Sequence, residues 1–331
     1  MENFMDLLHQ LGFTDWPVLW AGLIKPMLRL VFFIAAGLML GNIIEALNWT
    51  HGVARIAAPL VRMGHLRDIS GASFSMAFFS TITANTMLAG SYEKGEISRR
   101  ELVFANLFNS TPAFFLHLPS MFFMAVPFIG DAAFTYVGLV LAAAILRTLG
   151  TVAAGRIMLP PLPEGCITCR LEEERSNSWK DALRKSWRRF RQRLPRILYI
   201  TMPVYVLMYV MNKTGGFDSL QAMMEGRVGV LNFLNPAGIS VVIMHLAAEF
   251  AAALAAAGQL LHAGTLTARD VVMTLLVGNI LSSPMRAFRH QFPSYAGIFK
   301  PRLALFLIAF NQVLRAASIA LMAALYYWWT A

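Results

Sequence analysis

From 133 to 155 the chain carries a single charged side chain, Arg147. A helix needs about 20 mostly apolar residues to cross the hydrocarbon of a bilayer, and runs of similar length recur along this sequence. Of its 331 residues, 57% are hydrophobic and only 14% are charged, against roughly a quarter charged in soluble domains. The mean hydropathy is +0.56. These features predict an all-α polytopic membrane protein and argue against a soluble core. Segment 1–13 has an acidic start and no directly following apolar core, so it does not read as a signal peptide. Phe4, Met5, Leu7, Leu8 and Leu11 are spaced for one face of a short interfacial helix.

The chain repeats itself. "KGEISRRELVFANLFNSTPAFFLHLPS" (94–120) is echoed by "AGTLTARDVVMTLLVGNILSSPMRAFRHQFPS" (263–294). Gly95 aligns with Gly264, Ser98 with Thr267 and Glu101 with Asp270. After a small gap, Ser110, Thr111 and Pro112 align with Ser282, Ser283 and Pro284. "ILRTLG" (145–150) matches "VLRAAS" (313–318), which places Arg147 and Arg315 at equivalent positions. Five matched features in one order define two repeats. Each half reads as a spanning helix (26–48, 196–213), a polar-centred apolar stretch (69–91, 237–262), a proline-broken helix (99–118, 268–286) with a short second piece, and a further spanning helix (133–157, 303–328). The second of these, the apolar stretch with polar residues at its middle, fits either a spanning helix or a re-entrant helical hairpin. The division is 1–24 interfacial helix, 25–158 first repeat, 159–195 basic linker with an amphipathic helix, and 196–331 second repeat.

Charge sets the orientation. With the polar-centred stretch treated as a hairpin, each half crosses three times and the second is inverted. Placing the linker in the cytoplasm then puts 21 of the 28 Lys and Arg residues inside and five outside, as the positive-inside rule requires. Both termini fall outside, and the expected location is the cell inner membrane. The +10 net charge is thereby explained by cytoplasmic loops, with no nucleic-acid partner. In the linker, Trp179, Leu183, Trp187 and Phe190 share a face among arginines, a pattern suited to anionic membrane lipid.

The candidate site residues are polar groups at membrane depth. Proline removes a backbone donor, and interrupted helices at matching repeat positions mark binding sites in inverted-repeat carriers. Asn106, Asn109, Ser110 and Thr111 line the first interruption; Asn279, Ser282 and Ser283 line the second. Ser80, Thr81, Thr83, Asn85 and Thr86 form the first hairpin tip. His245 and Glu249, four apart, share a face in the second hairpin. Intramembrane charge is costly and is a functional candidate by default, which singles out Glu249, Arg147 and Arg315. The two arginines need partners: structural pairing with Glu249 and Glu45, bonding to helix carbonyls, or a bound carboxylate or phosphate. No catalytic motif for nucleotides, hydrolysis or zinc chemistry occurs, so the chain does not read as an enzyme and no cofactor is expected. The lone Cys166–Cys169 pair has no second ligand pair to complete a metal site.

The hairpin stretch "GASFSMAFFSTITANTMLAGSYEKGEISRRE", with "NLFNSTP" and "GNILSSP", resembles the Gate or nucleoside-recognition membrane family, including the transport core of concentrative nucleoside transporters. The resemblance covers about 25–328. It implies two inverted repeats, alternating access coupled to Na+ or H+, a small polar or anionic solute, and a homo-oligomer. The family's Gln-Thr-Glu triplet is replaced here by "STITANT" (80–86). The alternatives are an ion-conducting conduit and a non-transporting membrane scaffold acting with a partner.

Overall fold

Long apolar runs in lipid have to satisfy their backbone polar groups internally, and a helix does so within its own segment. A computed structural model of the chain describes residues 14–25, scattered positions between 27 and 43, and 59–78, 80–161, 179–214, 233–247 and 250–330. Among these residues every regular element is helical. In chain order the main helices are α1 (Asp68–Ala77), α2 (Thr81–Glu93), α3 (Arg99–Ile129), α4 (Ala132–Met158) and α5 (Trp179–Lys213). They are followed by α6 (Gly238–Ala247), α7 (Phe250–His262), α8 (Ala268–Arg286), α9 (Phe292–Phe299) and α10 (Pro301–Thr330). Helices α3, α4 and α10 are long and apolar enough to cross a bilayer. Their outward faces carry exposed apolar side chains such as Phe134, Leu149, Val313 and Leu325. The chain is an all-α membrane protein.

The stretch 69–91 forms two short helices, not one long one. Phe78 ends α1, and Ser80 caps α2 by accepting from the Thr83 amide at 3.2 Å. Ser73 on α1 donates to the Ala84 carbonyl on α2 at 3.0 Å, so the two helices fold back on each other. In the second half α6 and α7 likewise pack together, and both lie against α8. The seven-residue run 251–257 on α7 is six alanines and Leu254, all buried. Gly258 continues it, and a Cβ there would stand 2.6 Å from the Phe128 carbonyl oxygen of α3. Small residues let helix backbones approach where lipid gives no hydrophobic drive to pack.

The aligned turns take matching geometry. Gly95 has φ +75° and Gly264 φ +73°; Ser98 caps α3 and Thr267 caps α8. The acids three residues later behave differently. Asp270 completes a capping box with Thr267, whereas the buried Glu101 accepts from the Arg67 amide at 3.0 Å and pairs with its guanidinium at 3.4 Å.

Two expectations are corrected. The proline-broken helix at 99–118 is not broken: α3 runs unbroken through Pro112, Pro119 and Pro127. A proline removes one donor, and neighbouring helices and hydroxyls can hold the rest of the ladder. Here Ser110 donates to the Leu107 carbonyl at 2.6 Å, next to the carbonyl that Pro112 deprives of its usual donor. The second interruption also keeps its helix through Pro284, followed by a single π turn, Ala287–Gln291, and α9. In addition, the linker helix and the 196–213 helix are one helix, α5, which runs through Pro195 and Pro203. The interfacial segment 1–13, most of 26–48, Glu45, Cys166, Cys169 and Glu249 lie outside the described residues.

Candidate functional site

Helices α4, α8 and α10 pack on one another, and their polar side chains meet at Asn279. Asn279, Ser283 and Arg286, spaced by four and three residues, share one face of α8. The Asn279 amide donates to the Tyr136 hydroxyl of α4 at 3.1 Å. Its carbonyl oxygen accepts from Arg286 at 3.0 Å and from Arg315 of α10 at 3.4 Å. Ser283 donates to Gln312 of α10 at 2.6 Å. Two guanidiniums thus share one neutral oxygen.

Helix direction brings Arg147 towards the same place. Helices α3 and α4 are antiparallel, joined through Thr111 and Thr148. Arg99 at the head of α3 lies over the Phe306 ring near the start of α10, 4.7 Å from its centroid. With Tyr136 beside Asn279, α4 and α10 therefore run in opposite senses. Helical side chains lean towards their own N-terminus, so Arg147 and Arg315 lean towards each other. The Arg147 Nε is buried and has no hydrogen-bond partner among the described residues. No described carboxylate makes an ion pair with Arg147 or Arg315. At an effective dielectric of about 20, two unit charges roughly 6 Å apart repel by about 3 kcal/mol. Such a cluster holds together only if something offsets that repulsion.

His245 adjoins the cluster. It is 1% exposed, and both ring nitrogens lack partners among the described residues. Its ring packs against Gly278, where a Cβ would meet Nδ1 at 2.6 Å. Phe250 lies 5.6 Å from His245 and stacks on Tyr136 at 5.8 Å. The hydroxyl of buried Ser282 is also without a described partner.

A second, uncharged cluster forms where α3 meets the first hairpin and α9. The Asn106 amide donates to Asn85 at 3.0 Å and to the Tyr295 hydroxyl at 3.2 Å. The Asn109 amide donates to Ser73 at 2.7 Å. The side-chain oxygens of Asn106 and Asn109 are buried and unpartnered among the described residues. The remaining hairpin-tip residues serve local structure. Ser80 accepts from the Thr83 hydroxyl at 2.9 Å and Thr86 donates to the Ile82 carbonyl at 2.9 Å. Thr83 and Thr86 are exposed, and Thr81 is partly buried. Thr111 is spent on Thr148 and Ser110 on Leu107.

The structure thus gathers Asn279, Ser282, Ser283, His245, Arg147 and Arg315 in one region, and Asn85, Asn106 and Asn109 in another. Tyr136, Arg286 and Gln312 join the first and Ser73 and Tyr295 the second, none of them a sequence candidate. The basic face of α5 stands apart: Trp179, Leu183 and Trp187 are exposed, and Trp187 stacks on Phe190 at 5.5 Å.

Three apolar helices long enough to span a bilayer define the class, an all-α membrane protein. Three uncharacterized proteins of Methanocaldococcus jannaschii are similar to it along most of its length. One is 24% identical over 87% of this chain and 89% of its own. The others are 27% identical over 83% and 84%, and 20% identical over 82% and 88%. No family model matches the chain, and no solved structure gives a significant match.

Proposed function

We propose that this chain is a secondary-transporter-like membrane protein. It moves a small polar or anionic solute by alternating access, coupled to Na+ or H+. In this reading 25–158 and 196–331 are inverted repeats, each with a re-entrant hairpin, as in the nucleoside-recognition family that the sequence resembles. The observation that carries it is the exchange of polar contacts between the halves. Asn106 of the first half donates to Tyr295 of the second, and Asn279 of the second donates to Tyr136 of the first. Each polar centre is therefore shared between two bodies that alternating access would move against each other. The matched Gly95 and Gly264 turns and the Ser98 and Thr267 caps support the repeat.

The test is solute flux into liposomes containing the purified protein, with Asn109→Ala and Ser282→Ala alongside. At least about a tenfold loss is expected in each, the scale of one lost buried hydrogen bond in binding or gating. Undiminished flux in both variants sinks the site assignment. Orientation has its own test, because Cys166 and Cys169, the two cysteines of the chain, fall in the proposed cytoplasmic linker. An impermeant thiol reagent should label inverted vesicles and spare intact cells; the opposite pattern reverses the topology.

A further inference from the structure

Away from both polar clusters, the basic end of α5 is hollowed on two adjoining sides. We propose that this groove holds an anionic phospholipid. Its headgroup phosphate sits among Arg184, Arg188 and Arg191, and an acyl chain lies beside Leu183 and Trp187. The site stands whether or not the chain is a carrier.

Three observations carry it. The first is shape. One cavity, of about 650 Å³, is lined among the described residues by Arg184, Lys185, Trp187, Arg188, Arg191 and Gln192. The other, of about 430 Å³, is lined by Met39, Lys180, Leu183, Arg184 and Trp187. They share Arg184 and Trp187. The first is a cradle of donors. The second is bounded by apolar side chains and by two cations whose carbon stems can cover apolar surface. A phosphate joined to a hydrocarbon chain fills both, and a free phosphate fills one. The second observation is charge. Arg184, Arg188 and Arg191 are spaced by four and three residues, so they project from one side of the helix, and all three are exposed. Guanidiniums take phosphate oxygens in forked pairs. Of the acids in the linker, Glu164, Glu172, Glu173 and Glu174 lie outside the described residues. Segment 159–195 nevertheless carries nine Lys and Arg against five Asp and Glu, so positive charge is left over even with every acid paired. The third observation is depth. Met39 belongs to the uncharged apolar run 30–41 and borders the same cavity as Leu183 and Trp187. The apolar side of the groove therefore stands beside a segment of membrane hydropathy. Trp179, Leu183 and Trp187 are 71%, 54% and 53% exposed. Tryptophan beside Lys and Arg on one amphipathic helix suits the boundary between headgroups and acyl chains. The helix is continuous from Trp179 to Lys213 and packs on α7, which fixes the groove to the body of the protein.

The experiment uses the full-length protein in an uncharged detergent at constant ionic strength. Its thermal unfolding midpoint is followed while phosphatidylglycerol, phosphatidylcholine or inorganic phosphate is titrated. Phosphatidylglycerol is expected to raise the midpoint, and the other two to raise it far less. In the double variant Arg184→Gln, Arg188→Gln the half-saturating phosphatidylglycerol concentration should rise about tenfold or more, the scale of two lost charge contacts with an anionic headgroup. Both side chains are exposed, so the midpoint without lipid should stay where it is. The double variant Arg156→Gln, Arg302→Gln removes the same charge from exposed positions on α4 and α10 and should respond like the unaltered protein. The chain has its own readout. Phosphatidylglycerol with brominated acyl chains should quench tryptophan emission more than brominated phosphatidylcholine does, and Trp187→Phe should remove most of that excess. Equal stabilisation by the two lipids, stabilisation by inorganic phosphate to the same extent, or an equal loss in the two double variants overturns the proposal. So does an excess quenching that Trp187→Phe leaves intact.

Discussion

The two polar clusters are built alike and charged differently. In each, an asparagine on a proline-containing helix donates to a tyrosine of the opposite half, at 3.2 Å for Asn106–Tyr295 and 3.1 Å for Asn279–Tyr136. Around Asn106 the partners are amides and a hydroxyl; around Asn279 they are guanidiniums. Neutral amides and hydroxyls pair without mutual repulsion, whereas two guanidiniums on one oxygen repel each other. The difference is one of charge: the first contact between the halves is neutral, and the second carries two guanidiniums on one amide oxygen.

The largest expected effect separates the two directly. Asn279→Ala removes one hydrogen bond from each of two guanidiniums and should cost about 3 kcal/mol or more, since hydrogen bonds to charged groups are worth roughly 1.5–3 kcal/mol each. Asn106→Ala removes neutral hydrogen bonds and should cost about 1–2 kcal/mol. Unfolding midpoints in detergent measure both, and equal losses would erase the distinction. Next come two glycines with opposite expected signs. Gly278→Ala forces a Cβ into the His245 ring and should destabilise by about 1–3 kcal/mol through overpacking. Gly90→Ala on α2 meets nothing within 4 Å and should stabilise by about 0.5–1 kcal/mol, the helix-propensity gain. Destabilisation at both positions would mean that the first hairpin is packed more tightly than its contacts indicate. A comparably small effect sharpens the likeness. Tyr136→Phe and Tyr295→Phe each remove one hydroxyl and should cost about 1 kcal/mol apiece. A much larger loss at Tyr136 would make that hydroxyl part of the charged cluster.

Some of this was legible from residue order alone. An arginine in the middle of an apolar run stands out against its neighbours, so Arg147 and Arg315 declare themselves. The aligned Gly-x-x-Ser/Thr turns also announce themselves, because glycine at positive φ followed by an N-cap is a local matter. Arg286 does not: two residues after Pro284, at the end of an apolar segment, it reads as one more cytoplasmic charge. Its side chain instead reaches back along α8 to Asn279, which only the helix direction reveals. Tyr136 and Tyr295 were hidden for a different reason. Tyrosine is common in apolar cores and at interfaces, and their partners lie 143 and 189 residues away. The prolines misled because sequence shows the missing donor at 112 but not the neighbouring helices and hydroxyl that keep α3 whole.

The π turn at Ala287–Gln291 has a mechanical consequence. It joins α8 to α9 without a loop, so one backbone supplies Asn279 and Arg286 to the charged cluster and Tyr295 to the neutral one. The Phe292 amide bonds back five residues, to Ala287, so the face presented beyond the turn is rotated by about one residue, roughly 100°. The segment therefore works as a crankshaft with two offset pins. Turning it to move Arg286 must also swing the Tyr295 hydroxyl, nine residues further on, against Asn106 and Asn85.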